Sequence, residues 1–500
     1  MSQELSKKDN SVRSILRNTS ILGGVQIFQI LANVVRGKFV AIFLGPDGMG
    51  ISSLFTSSAG TITQASSLGL NLAIVREVAQ SADDRSRLAS MMQLVVRVAR
   101  ATALLGALFT ALFSGWLSNI TFGSADYAWQ FVLLAVFVYF TVAANAKAAV
   151  LQGMHLVKKM SRATIVGSTV GLCVGVPLYW WLGALGIVPA MVALSLSLYI
   201  FYWWQLRKYK SRETPRFRWR DNKAVLKRLL AMGMVLVAGD LIGKLAIYGL
   251  NLVIRMVGDL DQVGLYQAAN SITAQYVGTI IAALSLDYFP RLSAASSDNR
   301  LMAAIVNRQA LLVVVAMTAL SCLIIFTAPL LIRILLTEAF LPVTDLVRIF
   351  GAAIFFKVAS FPVAYITFAK DNRRVFFLLE GILGNVLFFG CSAAGYWLAG
   401  LTGVGYAMII ENVVYMLLCL GVNYRLYAYL PSRRVLAEYA GGAVVCLMCM
   451  QAGCSLPAQQ AALTTGLLTG VSAAYAICRI RTMLREDKRG GGDCKSPPHS

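Results

Sequence analysis

The sequence predicts an all-α polytopic membrane protein with about 14 transmembrane helices. Three observations predict this class: 58% of the 500 residues are hydrophobic, only 14% are charged, and the mean hydropathy is +0.68. A soluble domain is about 45–50% apolar and about 25% charged. Such an excess of apolar residues requires lipid as the solvent, and at about 20 residues per span the chain has room for a dozen or more helices.

Fourteen apolar segments follow one another along the chain. Turn signals split two of the longest stretches into hairpins, Gly-Pro-Asp-Gly at 45–48 and Gly-Asp-Leu-Asp at 258–261. The predicted helices span 18–44, 48–78, 88–117, 127–152, 160–182, 184–206, 228–257, 262–290, 301–335, 341–369, 373–398, 401–427, 435–455 and 458–480.

The net charge of +22 is explained mostly by topology. Most Lys and Arg residues fall before the first helix and in alternate loops, and the linker 207–228 is the richest of them. This bias predicts that both termini are cytoplasmic. Because topology accounts for most of the basic residues, the net charge does not indicate a nucleic-acid partner. The opposite turns carry the acidic residues Asp47, Asp126, Asp259, Asp261, Glu338 and Asp345.

The chain also repeats itself. Leu-Gly-Pro-Asp-Gly-Met-Gly at 44–50 follows helix 1, and Val-Gly-Asp-Leu-Asp-Gln-Val-Gly at 257–264 follows helix 7. Six helices per repeat predict two pseudo-symmetric lobes around a central cavity, plus two C-terminal helices, a transporter pattern. The predicted organisation is an N-lobe at 1–206, a basic cytoplasmic linker at 207–227, a C-lobe at 228–428, helices 13 and 14 at 429–484, and a disordered cytoplasmic tail at 485–500.

The sequence gives little indication of a metal site or a catalytic site. Most cysteines lie inside apolar segments, and Cys446 and Cys449 have no second pair and no neighbouring His, which favours a packing role. Because His155 and His499 are the only histidines, no His-based metal site or triad is available. We expect no metal, no cofactor and no catalytic residue.

Polar residues form stripes along corresponding helices of the two repeats. Residues three or four positions apart share a helical face. Helix 2 adds hydroxyls and Gln64, helix 8 adds Asn270, and Lys357 and Glu411 fall near mid-span. The stripe of helix 1 is Gln26, Gln29, Asn33 and Arg36, and that of helix 7 is Asp240, Lys244, Tyr248, Asn251 and Arg255.

Two interpretations of these stripes are open. The polar groups can bond helix to helix, which we favour for the helix 2 hydroxyls, and Asp240 and Lys244 can form a local ion pair. The stripes as wholes, arginine included, favour a hydrated cavity between the lobes. A cationic cavity suits a phosphate or pyrophosphate head group, because Arg grips such groups through paired donors.

Several motifs resemble a known family. They are Arg36-Gly-Lys38 followed by Phe-Leu-Gly-Pro-Asp-Gly-Met-Gly at 43–50, Ser-Leu-Gly-Leu-Asn at 67–71 with Val-Arg at 75–76, and Tyr-Phe-Pro-Arg-Leu-Ser at 288–293. With the length and repeat, the chain resembles the polysaccharide transporters of the multidrug/oligosaccharidyl-lipid/polysaccharide (MOP) exporter superfamily, and among them the Wzx-type O-antigen flippases.

The resemblance implies a flippase that moves a polyprenyl-pyrophosphate-linked oligosaccharide to the outer leaflet of the bacterial cytoplasmic membrane by alternating access. It implies lipid and lipid-linked oligosaccharide as partners, with possible proton or sodium coupling and a link to polysaccharide polymerase or export machinery. In that reading Arg36, Lys244, Arg255 and Lys357 attract the pyrophosphate, Asn33, Gln64, Asn251 and Asn270 bond sugar, and Asp240 and Glu411 are candidates for coupling.

Three other classes are open. A lipid II flippase shares the fold and the cationic cleft, so only the substrate separates it. A MATE-type drug/cation antiporter needs an anionic cavity, whereas the intramembrane excess here is basic. An integral membrane glycan ligase or polymerase needs reactive groups on a substantial outside loop, and the predicted outside turns are short.

Overall fold

The regular structure is helical throughout the part of the chain that the computed structural model describes, residues 2–81, 85–207, 209 and 219–490. This confirms the all-α prediction. The α-helices, numbered in chain order, are α1 Ser2–Ser67, α2 Leu70–Gln80, α3 Arg85–Leu112, α4 Ser114–Phe122, α5 Ala128–Gly153, α6 Val157–Leu182, α7 Ile187–Arg207, α8 Trp219–Val257, α9 Leu260–Ala294, α10 Asn299–Leu335, α11 Thr344–Ala369, α12 Arg373–Phe376, α13 Gly384–Tyr427, α14 Arg433–Ser455 and α15 Ala458–Gly490.

Ten helical stretches in the described residues are long and apolar enough to cross a membrane. Three of them, Ile21–Ser67, Val157–Arg207 and Arg373–Tyr427, are each about twice the length of a single span. Each of these three contains two of the helices that the sequence predicts. The polytopic character is therefore confirmed, and the count of fourteen stays a prediction.

Glycines produce the breaks inside two of the long stretches. Gly45 has φ of 64° within α1 and is followed by Pro46, and Gly400 has φ of 59° within α13. A positive φ is strained for residues with a Cβ, and proline removes a helical hydrogen bond, so the helix cannot continue straight. Both breaks fall where the sequence predicts that one helix ends and the next begins.

Some predicted boundaries are wrong. The helix predicted at 48–78 is interrupted between α1 and α2, where Leu68 and Gly69 have positive φ. The helix predicted at 88–117 ends at Leu112, because Phe113 leaves helical geometry and a separate helix, α4, fills the predicted outside turn. The tail is predicted from 485, whereas α15 continues to Gly490. Residues 491–500 of that tail lie outside the described residues, as do 208 and 210–218 of the predicted linker.

The chain divides into two compact units, Met1–Gly264 and Leu265–Ser500. In the first unit, the core gathers apolar side chains from α2, α3, α5, α6, α7 and α8, with Ile74, Leu94 and Leu151 at most 1% exposed. The unit includes α8, which the sequence assigns to the C-lobe. The lobe boundaries themselves stay a prediction.

In the second unit, α11 is the central helix. It packs against α10, α13 and α14, and nearly every one of its residues is buried. Phe350 and Phe355 are among the largest fully buried side chains. Lys357 is one of the exceptions, since its side chain is exposed near the middle of this helix.

Candidate functional site

A cavity of about 250 Å³ lies within the first unit, beside the first half of α1. All four polar residues of the predicted α1 stripe line it, as the helical spacing predicts. Helices α6 and α7 form the opposite wall. The lining residues are Gln26, Gln29, Ile30, Ala32, Asn33, Arg36, Ser168, Gly171, Leu172, Gly175, Tyr179, Ala190, Leu194 and Leu198.

Arg36 is the one charged group among the described residues that line this cavity. Its Nη2 donates a hydrogen bond to Asn33 Oδ1 at 3.2 Å, one turn earlier on the same helix. A guanidinium carries five N–H donors, so this single bond leaves donors for a ligand. Tyr179 is close enough to interact electrostatically with Arg36. The cavity therefore combines one fixed cation with amide and hydroxyl groups.

Small residues of α6 bring α7 close and shape the cavity wall. Gly167 and Gly171 lie one turn apart, and a Cβ on either would press against the backbone of Leu198 or Leu194. Gly175 continues the row. Close helix packing through small residues is typical of membrane proteins, and it holds the polar wall of α1 opposite a well-fixed surface.

The second half of α1 contacts α8 through a row of small and polar residues, which we call the α1–α8 seam. It includes Asn251, which is 1% exposed and donates through Nδ2 to Ser53 Oγ at 3.3 Å and to Ser57 Oγ at 3.2 Å. The helix 2 hydroxyls thus bond helix to helix, the interpretation that the sequence favours for them. Thr61 Oγ1 donates to the Lys244 carbonyl at 3.4 Å, farther along the seam.

Close backbone contacts at glycines lie at both ends of the α1–α8 seam. A Cβ on Gly264 would overlap the carbonyl of Pro46, and one on Gly50 would overlap the carbonyl of Leu260. At the other end, Gly69 and Gly233 approach each other's backbone in the same way. Gly50 and Gly264 are the matching glycines of the sequence repeat, so the two copies of this turn contact each other directly.

Arg255 donates hydrogen bonds to backbone carbonyls instead of lining the cavity beside α1. Its Nε donates to the Thr121 carbonyl at 3.0 Å and its Nη2 to the Ile120 carbonyl at 2.9 Å. These carbonyls belong to the last turn of α4, where four carbonyls lack helical partners. Tyr248 adds a 2.6 Å hydrogen bond to Thr121 Oγ1. Arg255 therefore caps α4 and fixes it against α8.

Asp240 and Lys244 are both exposed and form no ion pair with each other. Gln64 Nε2 instead donates to Asp240 Oδ2 at 3.5 Å, which joins two of the predicted site residues across the seam. The Lys244 stem passes Gly60 on α1, where a Cβ would meet its Cδ at 3.9 Å. The local ion pair considered from the sequence is therefore wrong.

The remaining predicted residues lie in the second unit. Glu411 is 8% exposed on α13, and Asn270 is half-buried on α9. Lys357 acts electrostatically on Glu411 and on Glu380. Glu380 is a residue that the sequence reasoning missed, and its signal was a lone acid within the apolar run Phe-Phe-Leu-Leu-Glu-Gly-Ile-Leu at 376–383.

Glu380 stands in a π-helical turn, Phe377–Leu383. Such turns are rare and occur frequently at functional sites. Asn385 Nδ2 donates to the carbonyls of Glu380 at 3.1 Å and Gly381 at 2.9 Å, which satisfies backbone groups that the altered ladder releases. Tyr179 and Ser168, in the first unit, were also missed, because their place opposite α1 follows from packing alone.

An acidic cluster lies at the turns that follow the α1 break and α8. Asp261 neighbours Asp47 and Asp259, and its pKa is raised by partial burial and by these two carboxylates. No group of three or more His, Cys, Asp or Glu in the described residues is arranged to hold a metal ion.

Comparison with known proteins identifies relatives along most of the chain. A family model described as "Polysaccharide biosynthesis protein" matches residues 39–345, more than half of the sequence. The lipid III flippase of Escherichia coli (strain K12) is 24% identical over 407 residues, which cover 79% of this chain and 95% of that relative. The lipid III flippase of Shigella flexneri matches equally well.

Two solved structures share the fold. An inward-facing multidrug resistance MATE family transporter of the MOP superfamily superposes with a TM-score of 0.67 at 17% identity, covering 82% of this chain and 96% of that one. The lipid II flippase MurJ, in an inward closed conformation, gives 0.65 at 13% identity and covers 94% and 99%. These relatives are flippases and transporters rather than enzymes. The chain belongs to the polysaccharide biosynthesis protein family and has the fold of the MOP superfamily transporters.

Proposed function

We propose that the protein flips a polyprenyl-pyrophosphate-linked oligosaccharide from the inner to the outer leaflet of the bacterial cytoplasmic membrane. The observation that carries this proposal is the cavity beside α1, where Arg36 lies among amides and hydroxyls and no carboxylate of the described residues lines the wall. A guanidinium binds phosphate oxygens through paired donors, while Gln and Asn side chains match sugar hydroxyls. The lipid III flippase relatives support a lipid-linked substrate.

The contacts that each predicted residue makes in this structure decide whether we assign it to the pyrophosphate or to the sugar. Arg36 and Asn33 line the cavity together, and the exposed ammonium groups of Lys244 and Lys357 form no salt bridge with a carboxylate of the described residues. We assign attraction of the pyrophosphate mainly to these three cations. Arg255 caps α4 in this state. It can therefore bind the substrate only after its hydrogen bonds to α4 are broken. Gln64, Asn251 and Asn270 remain proposed sugar ligands.

Alternating access requires the α1–α8 seam to change. Asn251 uses both Nδ2 donors on serines, while its buried Oδ1 accepts no hydrogen bond from the described residues. An unpaired buried acceptor weakens the contact. We propose that the seam opens during transport, and that a sugar hydroxyl then replaces the serine contacts of Asn251.

Coupling to an ion gradient is assigned to Asp240 and Glu411. Asp240 shares a hydrogen bond with Gln64 across the seam, so its protonation changes a contact that must open. Glu411 is buried near the charge of Lys357. Replacement of Glu411 by Gln is expected to reduce transport and abolish its response to a proton or sodium gradient, whereas the exposed acid Glu338 changed to Gln leaves the response intact. A normal gradient response in Glu411→Gln contradicts this role.

The other transporter classes are separated by substrate charge and head group. A drug/cation antiporter requires carboxylates where the cavity presents Arg36. A lipid II flippase uses the same phosphate chemistry, so only the glycan distinguishes it. We place the substrate among repeat units of O-antigen, capsule or exopolysaccharide, supplied to a polysaccharide polymerase or export system.

The test is reconstitution of the full chain into liposomes with three substrates in parallel. They are a polyprenyl-pyrophosphate-linked repeat-unit oligosaccharide, lipid II, and a cationic dye. We expect the first to become accessible to an external glycan-modifying probe, and the dye gradient to be unaffected. Transport of the dye, or no movement of any lipid-linked glycan from the native host, contradicts the proposal.

A further inference from the structure

A second cationic site lies in the first unit, away from the cavity beside α1. Lys147 on α5 is only 7% exposed, about 9 Å along the helix axis from its end at Gly153. Its Nζ lies 4.6 Å from the centre of the Tyr199 ring on α7, a cation–π contact. No carboxylate or carbonyl among the described residues accepts a hydrogen bond from it. A buried ammonium with three unused donors needs an acceptor from outside the chain.

Arg100 on α3 faces the same crevice as Lys147. The crevice is small, about 20 Å³, which is room for roughly one water-sized group. Two cations without a lining acid repel each other unless an anion lies between them. The lining residues are Met92, Val95, Val96, Ala99, Arg100, Ala143, Ala146, Lys147, Val150 and Leu206.

Exposed apolar side chains of α3 and exposed tryptophans of α7 lie close to the crevice in the helices that line it. Arg100 is exposed and lies on one face of α3 with Leu104 and Leu108, which are 52% and 47% exposed apolar side chains. Such a face meets the bilayer. Trp203 and Trp204 are exposed at the end of α7, next to Leu206. Tryptophans concentrate at the membrane–water interface, and basic pockets between helices at that depth bind anionic head groups.

We propose that this crevice binds the phosphodiester of an anionic phospholipid of the surrounding bilayer. A phosphate oxygen enters between Lys147 and Arg100, and the acyl chains lie along the apolar face of α3. The crevice is too small for an oligosaccharide, so this lipid is a bound partner rather than cargo. The site is independent of the function proposed above.

The test uses thermal unfolding of the full chain in neutral detergent, with added phosphatidylglycerol, phosphatidylcholine or inorganic phosphate. Phosphatidylglycerol is expected to raise the unfolding temperature of the wild type, and the other two are not. Lys147→Met keeps the stem and removes the charge, so its unfolding temperature without lipid is expected to rise and its response to phosphatidylglycerol to disappear. Lys158→Gln, an exposed charge outside the crevice, is expected to respond like the wild type.

Native mass spectrometry measures the retained lipid directly. We expect Arg100→Gln, whose exposed side chain can change without disturbing the core, to weaken phosphatidylglycerol binding about fivefold. This variant keeps the test decisive if Lys147→Met does not fold. Equal retention of phosphatidylglycerol by Arg100→Gln and the wild type overturns the proposal. An unfolding temperature raised as much by inorganic phosphate as by phosphatidylglycerol also overturns the proposal, because the site would then bind a free anion. An equal loss of phosphatidylglycerol retention in Lys158→Gln overturns it too, because general surface charge would then hold the lipid.

Discussion

Two arginines that the sequence treats alike have different environments in the structure. Arg36 and Arg255 each end a polar stripe on corresponding helices. Arg36 lines a cavity and, among the described residues, donates to the neighbouring Asn33, whereas Arg255 donates to two backbone carbonyls of α4. A helical wheel shows on which face of the helix a residue lies, but not which part of the protein packs against that face. The sequence alone therefore could not separate the cavity-lining arginine from the capping arginine.

Arg255→Gln tests the capping role at the residue scale. Hydrogen bonds to charged donors contribute about 1.5–3 kcal/mol each, so loss of the cap is expected to destabilise the protein by about 2 kcal/mol. The measurement is the free energy of unfolding in detergent. Arg333→Gln, an exposed arginine in the last turn of α10, is the matched control. Unchanged stability in Arg255→Gln contradicts the role.

Asp261 gives a pH dependence with a defined sign. Its pKa is raised in the folded state by partial burial and by Asp47 and Asp259. Folding then favours the protonated carboxyl, so this stabilisation is present at pH values below its ordinary pKa and is lost as pH rises through the raised one. We expect Asp261→Asn to raise the unfolding temperature at neutral pH and to flatten the fall of that temperature as pH rises above the ordinary Asp pKa of about 3.9. An exposed acid elsewhere, Glu338 changed to Gln, is expected to leave the profile unchanged, and an unaltered profile in Asp261→Asn contradicts this account.

At the scale of elements, the α1–α8 seam shows how far a sequence prediction reaches. Turn chemistry predicts the break at Gly45, because glycine and proline act locally, and the boundary predicted between 398 and 401 falls at Gly400. Helical spacing predicts that the α1 stripe shares one face, and the cavity confirms it. The contact of Asn251 with Ser53 and Ser57 joins positions far apart in the chain. Such a contact depends on packing, which local sequence does not encode.

The glycines at the end of the seam make the element-scale prediction. Gly264→Ala places a Cβ against the Pro46 carbonyl, so the backbones must separate. Overpacking of this kind costs about 1–3 kcal/mol, and we expect a lower unfolding temperature. Gly278→Ala, on the same helix α9 with open space around it, is expected to gain up to about 1 kcal/mol from helix propensity. Equal effects of the two substitutions contradict the close approach.

At the scale of the whole molecule, composition and charge distribution predict the class, and the structure adds the site. The apolar excess and the repeat predict a polytopic transporter, and the fold shared with MOP superfamily proteins confirms the all-α polytopic architecture. The net charge of +22 says little about the site, because one cation lines the cavity beside α1 in the described residues. The opposite wall, with Tyr179 and Ser168, is contributed by helices more than a hundred residues away in the chain, which periodicity cannot locate.

The most direct test of the account compares Arg36→Gln with Lys38→Gln in the liposome assay for the polyprenyl-pyrophosphate-linked oligosaccharide. The two residues are neighbouring cations on α1, and only Arg36 lines the cavity. Loss of charge-assisted hydrogen bonds is expected to slow transport by Arg36→Gln about tenfold to a hundredfold, while Lys38→Gln stays within about twofold of the wild type. Equal transport by Arg36→Gln and the wild type would contradict the central claim that this cavity recognises the pyrophosphate.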